Sequence, residues 1–157
     1  MPQTVNAAER IEIERACERL VHAYSRALDL GQLSEAADFF AENGSMTRPM
    51  TPDQVIQGRE AIRASLLTRP KALLTRHLAT NLMIEVDGRD AAHGISYLTM
   101  IAATPPSGGR PPFASPGPIY FGAFEDRFVR EMGVWKFLER RGSVQLTFAG
   151  AAPPTGA

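Results

Sequence analysis

The apolar residues of this chain recur at steps of three and four up to about residue 68 and at every second position from Thr75 onward. A chain whose hydrophobic period changes once in this way buries both its stripes by laying the early helices on the later sheet, which is the α+β arrangement. With 157 residues there is room for one such domain and a full core, without disulfide or metal staples. We expect a single domain over residues 1–148, with residues 149–157 as a flexible tail.

The helical part divides into three. Ile13, Cys17, Leu20, Tyr24 and Leu28 form one stripe over residues 7–30, with Asn6 as its cap and Gly31 as its exit. Leu33, Ala36, Ala37, Phe39 and Phe40 mark a second helix, with Ser34 as a candidate cap and Asn43-Gly44 as its stop. Residues 58–68 carry Ile62, Leu66 and Leu67, closed by Pro70. Four strands are then expected over residues 75–86, 91–103, 119–130 and 134–148, with a weaker one over 45–47. Strict alternation puts Leu78, Leu82, Ile84 and Val86 on one face of the first of these, and His77, Asn81 and Glu85 on the other. In the last strand it puts Arg140 opposite Phe137. Residues 104–118 hold six of the twelve prolines and are either a solvent-exposed connection or a lid carrying Phe113 over a pocket.

The 17 basic residues are matched by 17 acidic ones, which argues against nucleic acid as a partner. The charged N-terminus and the lack of any long apolar run argue against a secretory leader or a membrane span. A single cysteine, Cys17, cannot form an internal disulfide and gives no zinc-ligand spacing, so we expect no metal and a cytoplasmic setting. No phosphate loop, dinucleotide fingerprint or nucleophile elbow occurs, and no cofactor is expected.

Three residues stand out physically. Asp29 falls at the negative end of the first helix, where a carboxylate is disfavoured, so it is either a solvent-screened surface group or a functional one. Tyr24 on the apolar stripe is a core aromatic unless its hydroxyl turns into a cavity. His77 lies on a polar strand face that looks either into water or into a pocket.

Taken in order, YSRALDLGQ, LSEAADFFAENG, IQGREAIRASL, LTRHLATNLMIEVDG and FGAFEDRFVREMGVWKFLERR resemble the SnoaL-like members of the nuclear transport factor 2-like superfamily, over nearly the whole chain. The similarity is greatest to the scytalone dehydratase and bile acid 7α-dehydratase branch. It implies a cone-shaped α+β barrel, with three N-terminal helices on a strongly curved, mainly antiparallel sheet around a pocket. It further implies that Tyr24, Asp29, His77 and Arg140 face that pocket as catalytic groups, and we expect Phe40, Met46, Asn81, Met100 and Phe124 to shape it. Phe124 departs from the pattern, since relatives often carry a tyrosine there. The activity implied is a cofactor-independent dehydratase acting on a small hydrophobic, aromatic or polycyclic hydroxylated compound. Isomerase, polyketide cyclase and a non-catalytic binding or assembly module remain alternatives on the same fold. An aliphatic face of Leu78, Leu82 and Ile84 would need a cover, which predicts a homodimer or homotrimer.

Overall fold

The structure is a computed structural model that describes residues 5–149. The expected tail, residues 149–157, lies outside the described residues beyond Ala149. The elements run α1 (Ala7–Asp29), α2 (Leu33–Asp38), β1 (Phe40–Arg48), β2 (Thr51–Gln57), α3 (Arg59–Leu67), β3 (Leu74–Val86), β4 (Ala91–Ala103), β5 (Ile119–Glu131) and β6 (Val134–Phe148). The strands form one open sheet in the order β2-β1-β6-β5-β4-β3, antiparallel throughout except where β1 runs parallel to β6. The fold is thus helices on a curved, mostly antiparallel sheet that curls without closing.

Local chemistry explains the helix ends. The Asn6 side chain accepts from the Glu9 amide while Glu9 accepts from the Asn6 amide, each at 2.9 Å, a reciprocal cap on α1. Gly31 leaves the helix at φ +71°, a conformation that favours glycine. Ser34 does not cap α2. Its hydroxyl and carbonyl oxygens instead accept from Arg63 Nη1 at 2.8 and 2.5 Å, and Gln32 holds the cap position.

The helical expectation fails at Phe39-Phe40. Once the Phe39 carbonyl accepts from the Phe137 amide at 2.9 Å, the chain is committed to the sheet, and Phe40 becomes the first residue of β1. Sheet pairing outweighs the helical spacing there. The strand over 45–47 lies in the second half of a nine-residue β1, and the polar stretch after it forms the edge strand β2, where Pro52 is tolerated at the margin of the sheet. Residues 104–118 form neither helix nor strand.

Three of the sheet's five register shifts redirect side chains around the core and the cavity. In β3 one extra residue stands between Thr80 and Met83, with Asn81 at φ +51°. Before this bulge Thr75 and His77 face inward; after it Leu82, Ile84 and Val86 do, packed on the core under α1. The expected common face for Leu78 and Leu82 is therefore split, and Leu78 is left outside. In β6 an extra residue at Leu138 brings Phe137 and Arg140 to the same inner side, against the alternation expected from sequence. At the third shift, a Cβ on Gly122 would lie 2.1 Å from the Ser143 carbonyl oxygen, so β5 can cross β6 closely only with glycine there.

The core joins Ile13, Cys17, Val21 and Tyr24 of α1 to Phe40, Phe128 and Phe137 of the sheet. Tyr24 meets Phe40 and Phe137 edge-on at 5.7 Å from each, an arrangement that aromatic quadrupoles favour. The apolar stripe of α1 thereby fixes where its last turn, carrying Asp29, meets β3.

Candidate active site

At the end of α1, Asp29 is held by three donors of β3, and each has a geometric cause. The inward side of β3 before its bulge presents Thr75 and His77 to the helix terminus. The His77 backbone amide donates to Oδ2 at 2.9 Å, the Thr75 hydroxyl donates to Oδ1 at 2.8 Å, and His77 Nδ1 lies 2.5 Å from Oδ1. Arg69 extends the network, donating to the Thr75 hydroxyl oxygen and, at 3.4 Å, to the Leu28 carbonyl. A carboxylate placed against the dipole of its own helix is thus compensated by donors from another element.

This network sets the chemistry of the imidazole. A carboxylate on Nδ1 fixes the tautomer with the proton there, leaving the Nε2 lone pair toward the cavity that His77 lines. Burial lowers the His77 pKa from its ordinary value, against the opposing pull of Asp29, which favours a neutral ring at rest. Burial likewise raises the Tyr24 pKa, so its hydroxyl stays a proton donor.

The cavity has a volume of about 400 Å³. Its floor is buried and apolar, made by Tyr24, Met46, Leu98 and Phe124, while Met50, Thr68 and Pro70 are exposed around its mouth. Met100 also lines it. A larger hollow of about 740 Å³ lies on the outer face of the sheet, beside Glu85, His93 and Glu125, and does not include His77. The inner cavity is the better candidate, because it combines an apolar enclosure with a few convergent polar groups.

Two expected pocket residues lie elsewhere. Phe40 is wholly buried in the core behind Tyr24, and Asn81 is exposed in the β3 bulge, which turns it out of the inner face. Asp29 stands behind His77 rather than on the cavity wall. Arg140 is also beneath the lining, only 1% exposed, with Nη1 donating to Asp126 Oδ2 at 2.9 Å. Its guanidinium lies 3.8 Å from the ring centre of Phe124, 4.7 Å from that of Phe137 and 5.0 Å from that of Tyr24. These aromatic faces partly replace the water this cation has lost. Burial pushes the Asp126 carboxyl up to about 6, although Arg140 draws it the other way. Asp126 Oδ1 and Arg140 Nε and Nη2 have no hydrogen-bond partner among the described residues. No residue of 104–118 lines the cavity, and Phe113 packs against its own loop near Gly109, so the lid arrangement is not what the structure shows.

Sequence reading missed Thr75, Arg69 and Asp126. Arg69 and Thr75 bracket the entry to β3, and their spacing carries no periodic signal. Asp126 alternates with Phe124 and Phe128 along β5, a charged residue in an inward register, which was the one legible clue. Among the described residues no group of three or more His, Cys, Asp or Glu side chains could hold a metal ion. No described helix is long and apolar enough to cross a membrane.

Three helices on an open curved sheet, with a histidine on the wall of an apolar hollow and a carboxylate behind it, define a pocket-bearing α+β protein. Residues 9–141 match the SnoaL-like domain family, and the chain belongs to it. Among solved structures it is similar to a putative scytalone dehydratase from Novosphingobium aromaticivorans, with 26% identity over 94% of this chain and 95% of that one and a TM-score of 0.73. It is also similar to a protein of unknown function from Mycobacterium tuberculosis, with 27% identity, 86% and 77% coverage and a TM-score of 0.69. A hexachlorocyclohexane dehydrochlorinase shares the fold at 19% identity, with 96% and 99% coverage and a TM-score of 0.74. A search of curated proteins finds no match.

Proposed function

We propose that this protein is a cofactor-independent lyase that removes water from a small hydroxylated carbonyl compound. The observation carrying the proposal is the 2.5 Å contact between His77 Nδ1 and Asp29, which presents a neutral, oriented imidazole base at the wall of an enclosed apolar cavity. His77 Nε2 takes the proton from the carbon beside the carbonyl. The electron pair released forms the new double bond as the C–O bond breaks, and the hydroxyl leaves as water with a proton returned by the imidazolium. Asp29 stabilises the imidazolium in between. Tyr24, held on three sides by Phe40, Phe137 and the Arg140 guanidinium, donates to the carbonyl oxygen as negative charge develops there. Arg140 acts from beneath, through Tyr24 and Phe124, and is a positioning residue in this scheme.

The similarity to a putative scytalone dehydratase supports dehydration, and that to a dehydrochlorinase is consistent with elimination more broadly. An isomerase or cyclase would use the same base and differ in where the proton goes. Incubating the protein with candidate β-hydroxy ketones and reading the product mass separates them. Loss of one water supports the proposal, whereas converted product of unchanged mass replaces it with isomerisation.

A further inference from the structure

The proposed chemistry accounts for His77, Asp29 and Tyr24, but not for two other polar groups on the cavity wall. Arg48 of β1 and Arg69, which follows α3, are both half-buried and line the same cavity near its exposed mouth. Arg48 Nη2 donates to the Ser65 carbonyl, to the Ser65 hydroxyl at 2.8 Å and to the Thr68 hydroxyl at 3.5 Å, all neutral oxygens. Arg69 donates to the Thr75 hydroxyl and the Leu28 carbonyl, again neutral. Among the described residues no Asp or Glu lines this cavity. Asp29, the carboxylate behind the wall, attracts Arg69 and is already held by His77 and Thr75. Asp126 is taken by Arg140. Among the described residues, the wall therefore carries one more positive charge than its surroundings offset.

Both guanidiniums also cap carbonyls near helix C-termini, Ser65 in α3 and Leu28 in α1, which explains why they are anchored. Capping does not explain why two arginines rather than neutral donors share a cavity in which burial disfavours the charge of one and each repels the other. An anion between them would remove that conflict. The planar guanidinium fork matches a planar carboxylate in particular.

We propose that Arg48 and Arg69 form a subsite for a carboxylate carried by the substrate, at the mouth of the cavity and away from the reacting carbon. This rests on the same cavity being the reactive one. The carboxylate is a handle and not the activating group, since a carbon beside a carboxylate is a poor acid and the carbonyl that activates it sits deeper, at Tyr24. The substrate class is thus a hydroxylated carbonyl compound with an apolar body and a separate acid group.

Calorimetric titration of the full chain with three acids and their methyl esters, benzoate, 3-phenylpropanoate and 2-naphthoate, tests the subsite without any turnover. The expected result is that in at least one pair the acid binds at least roughly tenfold more tightly than its ester. That preference should weaken with added salt, fall in Arg48→Gln or Arg69→Gln, and be partly kept in the Lys variants. Equal affinity in every pair, with failure of all three acids to bind counted as equal, overturns the proposal. So does a preference that survives the Arg48→Gln, Arg69→Gln double variant, or tighter binding of 2-naphthyl phosphate than of 2-naphthoate. Should the double variant fail to fold, the acid–ester comparison on the unaltered chain decides alone. Repeating the titration in His77→Ala separates the two readings. Acid preference there, with no water-loss activity in the unaltered protein, retains the subsite and removes the lyase; the converse removes only the subsite.

Discussion

Asp29 illustrates how a residue unfavourable in its own element becomes useful in the assembled one. Three donors of β3 offset its placement at the negative end of α1, and in return it orients His77. Replacing His77 by Ala or Asp29 by Asn should lower kcat/KM on the eventual substrate by about 10²–10⁴-fold, the usual worth of a positioned base. Steady-state rates with unchanged melting temperature would check this. Because burial lowers the His77 pKa, the acid limb of the rate profile should lie below pH 6.5, and a limb at or above that value would count against His77 as the base. The buried Arg140–Asp126 pair makes a separate prediction. Arg140→Met leaves Asp126 uncompensated and should cost about 3–5 kcal/mol in urea denaturation, while Arg140→Met with Asp126→Leu should recover most of it. Asp29 was legible because a carboxylate is odd at the end of a helix, and His77 as its partner was legible only through the family resemblance. Thr75 and Arg69 were not, since a threonine and an arginine at a strand entry look like any surface pair.

At the level of elements, the bulges decide which side chains share a face. Alternation places Asn81 with His77, but the extra residue in β3 turns Asn81 out and brings Leu82, Ile84 and Val86 in beneath α1. Asn81 tolerates φ +51° better than a β-branched residue would. Asn81→Gly should therefore leave stability within about 0.5 kcal/mol, and Asn81→Val should lower it by about 1–2 kcal/mol, measured by chemical denaturation. Removal of the α1 cap by Asn6→Ala should cost about 1 kcal/mol in the same assay. Helix positions were well read from periodicity because each apolar stripe is a local signal. The start of β1 at Phe40 was misread because its partner, Phe137, lies far away in sequence.

For the whole molecule, the outer face of the sheet exposes Leu78, Met83, Tyr97 and Leu146, with Tyr97 at 52% and Leu146 at 68% exposure. Leu82 and Ile84 no longer belong to that face, yet the patch is still contiguous with the larger outer hollow through Met83. We keep the proposal of a homodimer or homotrimer. Light scattering should give a multiple of 17.1 kDa at micromolar concentration, and Leu146→Glu should shift it toward monomer. Titration acts on stability in the same global way. The folded His77 resists protonation, so the unfolded chain takes up its proton first and stability falls as pH drops below about 6.5. His77→Gln should therefore lose less stability than the unaltered protein between pH 7 and pH 5.

By itself, the order of hydrophobic periods determined that helices would cover a sheet, and the family pattern pointed to part of the cavity lining, Tyr24, Met46, His77, Met100 and Phe124, but also to Phe40 and Asn81, which lie elsewhere. Such information is local: it records which face of an element is apolar and which residue types sit at its ends. Only the tertiary structure decided that Arg140 would be sealed beneath Phe124, that Asn81 would leave the inner face and that two arginines would flank the mouth of the cavity. The first two depend on strand register, where one extra residue redirects every side chain after it, and the third on how the segment after α3 packs beside β1.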